Sequence, residues 1–144
     1  LVPETRIDLH ETGGCVRGVG PASMVGRPGM TRAEILDEFP GYHIEAGVDG
    51  EGWWRSQPYE SAQQAHKRAA RLLAQTRAEF AVSDQRVAYV THGDFELQFL
   101  SQFHPLPLLL VFNASLTGVQ MIPHITRLLD FNSVEHLPDY MLSW

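Results

Sequence analysis

A chain of 144 residues, 44% of them hydrophobic, is long enough for one domain with a sizeable core. A formal net charge of −6 with no basic run argues against a nucleic-acid surface. No apolar stretch has the length of a membrane span, Leu106 to Phe112 reading as a short buried run, and a single cysteine, Cys15, excludes an internal disulfide and a thiolate zinc cluster.

The chain opens on Leu1 rather than Met, and no signal-peptide pattern precedes Pro3. It therefore reads as a piece of something longer or as a processed product, and the compartment expected for it is the cytoplasm. Thr5 to Leu9 reads as a short strand, followed by His10-Glu11 and a turn at Thr12-Gly13-Gly14. The glycines and prolines between Gly18 and Gly29 predict a long irregular stretch. Gly18-Val19-Gly20-Pro21 is a poor dinucleotide fingerprint, because the third glycine is absent and Pro21 breaks the turn. Thr31 and Glu34 form a capping box, with Ile35, Leu36 and Phe39 as the apolar face of the helix it starts and Pro40-Gly41 as its end. Glu45, Asp49 and Glu51 fall in a loop from Tyr42 to Gly52 and are expected to be solvated. Trp53 and Trp54 either pack over the core or line a substrate mouth, with core packing favoured; Arg27 and Arg55 are further candidates for that mouth, alongside Trp54.

The clearest helix runs from Ser61 to Phe80, with Ala65, Ala69, Leu72, Leu73, Thr76 and Phe80 on one stripe. Lys67, Arg68, Arg71 and Arg77 lie toward its other faces, and most of them are expected in solvent. Ser83-Asp84 turns the chain into Arg86 to Val90, a β-rich run ending on Thr91-His92-Gly93-Asp94, where Asp94 can cap a helix over Phe95 to Leu100. Strand, His-Gly, helix is an arrangement for chemistry at the carboxyl edge of a parallel sheet. A helix amino terminus there favours an anion, Gly93 lets backbone approach a ligand, and the His92 imidazole points into the same space. Pro105 and Pro107 stop this helix. Asn113 to Ile122 and Ile125 to Phe131 read as strands of a hairpin turned at Pro123-His124, with a tail to Trp144.

Three motifs together resemble the histidine phosphatase superfamily, the phosphoglycerate-mutase-like proteins. Val90-Thr91-His92-Gly93 is similar to that family's second histidine motif. Leu9-His10-Glu11, followed by Gly13-Gly14, resembles its L-x-E segment. Asn113-Ala114-Ser115-Leu116-Thr117 resembles the start of its late strand, and Tyr59-Glu60-Ser61 before the long helix also fits. The order and spacing match over most of the chain. The family's Arg-His-Gly motif, whose histidine is the nucleophile, occurs nowhere in the sequence. The resemblance therefore implies a single domain over 1–144 that lacks its amino-terminal strand and helix. The implied fold is an α/β three-layer sandwich, a mostly parallel sheet with helices on both faces.

What the resemblance implies for function is a phosphatase or phosphomutase acting on a small phosphate ester through a phosphohistidine. Glu11 and His92 are its catalytic candidates and His92 and Gly93 its phosphate-binding ones. It implies no cofactor and no metal. Without the nucleophile the chain is expected to be inactive alone, and without a central strand it is expected to self-associate through an exposed sheet edge. A non-catalytic relic or interaction module is the alternative. A metal hydrolase built on Asp8, His10 and Glu11 is a third reading. The remaining histidines show no paired ligand spacing for zinc.

Overall fold

A computed structural model describes residues 2–105 and 107–143. They form two compact units, Leu1–Ala65 and His66–Trp144.

The first unit opens on an isolated parallel bridge between Glu4 and His43. The strand expected over Thr5 to Leu9 is not formed; Ile7–Leu9 is a turn of 3-10 helix. The amides there find partners outside any strand ladder. The Ile7 amide donates to the Glu45 carboxylate, and those of Leu9 and His10 donate back to the Arg6 and Ile7 carbonyls. The turn at Gly13-Gly14 is formed, with φ of 93° and 79°, values natural to glycine. Two short strands follow, β1 (Val16–Arg17) and β2 (Val25–Gly26), paired antiparallel with a 3-10 turn between them. Helix α1 (Arg32–Glu38) starts at the expected capping box. The Glu34 carboxylate accepts from the Thr31 amide at 2.7 Å and its hydroxyl at 2.8 Å, and these bonds hold the Glu34 carboxyl below the usual glutamate range.

The core of this unit is Ile35, Ile44 and Val48, with Ile7, Met30 and Trp53 packed against it. Of the face expected for α1, Ile35 alone is buried; Leu36 and Phe39 are exposed. The loop carboxylates are not uniformly solvated. Glu45 is half-buried, and burial pushes its carboxyl above the usual range against the opposing effect of the Ile7 amide. Asp49 pairs with Arg55 at 2.5 Å.

In the second unit, helix α2 (Ala62–Phe80) buries Ala69, Leu72, Leu73 and Thr76 as its stripe predicts. Arg68 departs from the expectation of a solvated face. It is 4% exposed, and its guanidinium lies 3.8 Å from the centre of the Phe95 ring. Stacking on an aromatic face is a geometry suited to a flat cation.

Arg86 to Val90 pairs with no strand among the described residues. Val87 is 46% and Val90 90% exposed, whereas Tyr89 is half-buried and shares a 2.9 Å hydrogen bond with the Thr76 hydroxyl. Helix α3 (Gly93–Leu100) follows, capped by His92 rather than by Asp94, which sits in its first turn. Phe95 and Leu100 are its buried residues. The run expected to be buried after it is largely open: Leu109 and Leu110 are exposed, and Leu106 lies outside the described residues.

The hairpin of β3 (Leu116–Ile122) and β4 (Ile125–Ser133) forms as expected, turning at His124 with φ of 68°. Asn132 ties the preceding segment to it, accepting from the Phe112 amide at 2.8 Å and donating to the Leu110 carbonyl at 3.1 Å. The tail folds back, with the Asn113 amide donating to the Ser143 carbonyl at 2.7 Å. Helix and strand are thus mixed, but the sheets among the described residues are two antiparallel pairs. The parallel sheet read from the helix, strand, helix order is not formed there, because neither Arg86 to Val90 nor the Leu108 to Phe112 segment has a ladder partner.

Candidate active site

The candidate residues fall into two groups, one in each unit. In the first, Glu11 sits between the 3-10 turn and the diglycine turn. Its Oε1 accepts from the Thr12 amide at 2.6 Å, and its carbonyl accepts from Gly14 at 3.2 Å. A side chain on either glycine would strike a ring, that of Tyr59 at Gly13 and that of Trp54 at Gly14. The turn is therefore shaped by aromatic walls that require the absence of Cβ.

His10, adjacent to Glu11, does not point into solvent. Its Nδ1 lies 2.5 Å from the Ile7 carbonyl oxygen, which can only accept, so Nδ1 carries a proton. Its Nε2 faces Glu60 Oε2 at 3.6 Å, with the two side chains 9% and 8% exposed. The ring packs tilted on Trp53, with centroids 5.3 Å apart, and edge-on to Trp54 at 5.0 Å. Glu60 also holds the turn through its backbone, its amide donating to the Gly13 carbonyl at 3.0 Å.

Of the substrate-mouth candidates, Trp54 is 6% exposed and fixed by a 2.7 Å bond from its indole N–H to the Gln57 carbonyl. Arg55 is exposed, with φ of 51° and its guanidinium on Asp49. Arg27 is exposed beside β2, its amide donating to the Cys15 carbonyl at 2.8 Å.

In the second unit His92 is exposed at the start of α3, in extended conformation. Its carbonyl accepts the Glu96 amide at 2.8 Å, and its side chain makes no cap bond. A Cβ on Gly93 would stand 3.4 Å from that of Val111, an ordinary contact, so a side chain the size of alanine fits at the helix start. Asp94 and Glu96 occupy the first turn of α3 and complement the positive end of the helix dipole. An anion at this helix start therefore meets two carboxylates as well as the His92 imidazole. The Asn113 to Thr117 motif shapes backbone: Ala114 takes φ of 57°, and the Thr117 hydroxyl accepts from the Asn132 amide at 3.2 Å.

A family model described as the histidine phosphatase superfamily (branch 1) matches residues 24–133. The chain belongs to this superfamily. No curated protein and no solved structure matches it. Within this histidine phosphatase chain, His92 and Gly93 lie inside the matched residues, as do Arg27, Trp54 and Arg55, while Glu11 precedes them. The family implies a phosphorylated small-molecule substrate. Among the described residues no helix is long and apolar enough to cross a membrane, and no group of three or more His, Cys, Asp or Glu is placed to hold a metal ion.

The sequence did not bring His10 and Glu60 together, nor mark Arg68 as buried. A signal for the first was present in the aromatics: Trp53-Trp54 and Tyr59 flank Glu60, and a buried carboxylate needs a partner. Arg68 had a weaker signal, since it stands one residue before Ala69 on the edge of the α2 stripe.

Proposed function

We propose that this chain is the larger part of a phosphatase or phosphomutase acting on a small phosphate ester through a phosphohistidine intermediate. The nucleophilic histidine belongs to an Arg-His-Gly strand that this sequence does not contain. One observation carries the reading: a family-matched His-Gly helix start is preceded by a β-rich run, Arg86 to Val90, that has no ladder partner among the described residues. Such a run is one strand of an incomplete sheet. With the missing strand present, the whole domain is the three-layer sandwich with a mostly parallel sheet, and the open edge of the chain alone favours self-association.

The chemistry divides as follows. The missing imidazole attacks phosphorus; a P–N bond forms and the P–O bond to the alcohol breaks. Glu11 gives its proton to the departing oxygen, then as carboxylate takes a proton from the water that cleaves the P–N bond. His92 donates to the phosphoryl oxygens as charge builds on them. Because Asp94 and Glu96 stand at the same helix start, His92 cannot hold a phosphoryl group unaided, and the guanidinium of the missing motif supplies the remaining positive charge.

The test is to quench an upstream-extended protein with its phosphate ester in alkali and map the acid-labile phosphate. Label on a histidine upstream of Leu1 is expected. Label on His92 would overturn the assignment. A folded extended protein that takes no label and releases no phosphate would instead support a non-catalytic module.

A further inference from the structure

We infer that His10 and Glu60 are positioning residues for Glu11, holding its turn through a buried imidazole–carboxylate contact inside an aromatic box. This rests on the reading of Glu11 as the proton donor. Glu60 reaches the turn twice: its amide binds the Gly13 carbonyl at 3.0 Å, and its carboxylate faces His10 Nε2 at 3.6 Å. His10 is covalently next to Glu11 and is anchored on its other side by the Ile7 carbonyl at 2.5 Å. Trp53 and Trp54 pack against the imidazole, Trp54 also closes on Gly14, and Tyr59 closes on Gly13.

Burial explains why the pair is built this way. A carboxylate 8% exposed is costly to bury without a partner. With Nδ1 bonded to the Ile7 carbonyl, Nε2 is the ring nitrogen that faces the Glu60 carboxylate. The aromatic walls keep water from competing. Glu11 follows His10 directly, so displacement of the His10 ring displaces the carboxyl that must meet the leaving oxygen. A misplacement of about 1 Å can cost on the order of 100-fold in rate.

Glu60→Gln and His10→Gln test this, each keeping bulk while removing the imidazole–carboxylate contact. In the chain itself, amide hydrogen exchange at Thr12, Gly13 and Gly14 is expected to quicken about tenfold or more, with α1 and α2 unchanged. In an upstream-extended, active protein, both variants are expected to lose hydrolysis of an alkyl phosphate by about 100-fold while largely keeping that of an aryl phosphate with an acidic leaving group, which needs no proton donor. Glu60→Asp is expected to restore part of the alkyl activity. Unchanged exchange in the turn overturns the inference. So does faster exchange throughout the unit, which marks a pair serving only the fold, or an equal loss for both esters. If the extended protein is inactive on every ester, the proton-donor reading fails, and the exchange experiment still reports on the pair separately.

Discussion

The turn bearing Glu11 and the turn bearing His92 carry the two catalytic candidates, and they are built to different degrees. Around Glu11 the neighbours are in place: a buried His10–Glu60 pair, Trp53 and Trp54 on the imidazole, and two glycines fitted to rings. Around His92 the residue is exposed, Arg86 to Val90 joins no strand among the described residues, and Val90 is 90% exposed. The first turn is organised by side chains close in sequence or within its own unit. The second follows a run, Arg86 to Val90, that joins no sheet among the described residues.

The two turns differ most visibly in stability. Trp54→Ala removes a buried indole from the Glu11 turn and is expected to cost about 3–5 kcal/mol in urea unfolding. A cost as small as that of a surface change would mean the turn is not held by its aromatic box. Thr31→Ala is expected to cost about 1 kcal/mol, because the α1 cap is lost. Its penalty has a pH signature. The Glu34 carboxyl is lowered by its bonds to Thr31, so the contribution is present above the ordinary glutamate range and disappears as pH falls through the lowered value. Thermal melts of the variant and the wild type at neutral and acidic pH should therefore converge in acid.

On the His92 side the expected effects on folding are small. Val90→Asp should change unfolding stability by less than about 0.5 kcal/mol, since the residue is exposed and unpaired. It should also reduce self-association in light scattering. A large loss of stability would show that Arg86 to Val90 is packed in solution. The smallest effect sharpens the Glu11 side. Glu45 is raised mainly by burial, so the folded chain binds a proton more readily than the unfolded one, and stability falls as pH rises through the window above the ordinary glutamate value. Glu45→Gln keeps an acceptor for the Ile7 amide and should raise the melting temperature at neutral pH but not below that window.

Local signals were legible in the sequence. The Thr31 capping box, the α2 stripe, the diglycine turn and the hairpin at His124 each depend on residues close along the chain, and each is present. Long-range demands were not legible. The strand expected over Thr5 to Leu9 gave way to a 3-10 turn because Glu45, far along the chain, takes the Ile7 amide. Arg68 reads as a surface cation until Phe95 is placed beneath it. Arg86 to Val90 has the composition of a buried strand, but burial needs neighbours. His92 and Gly93 were legible from the strand, His-Gly, helix order and Glu11 from motif resemblance; the pairing of His10 with Glu60 emerges only when the Trp53-Trp54 and Tyr59 walls are seen around them.

The most direct measurement is phosphate release from an aryl phosphate by this chain and by the protein extended upstream through an Arg-His-Gly strand. The account predicts no turnover from the chain alone and robust turnover from the extended protein, cut by about 100-fold to 1,000-fold in His92→Ala. Robust turnover by the chain alone, abolished by His92→Ala, would make His92 the nucleophile and contradict the account.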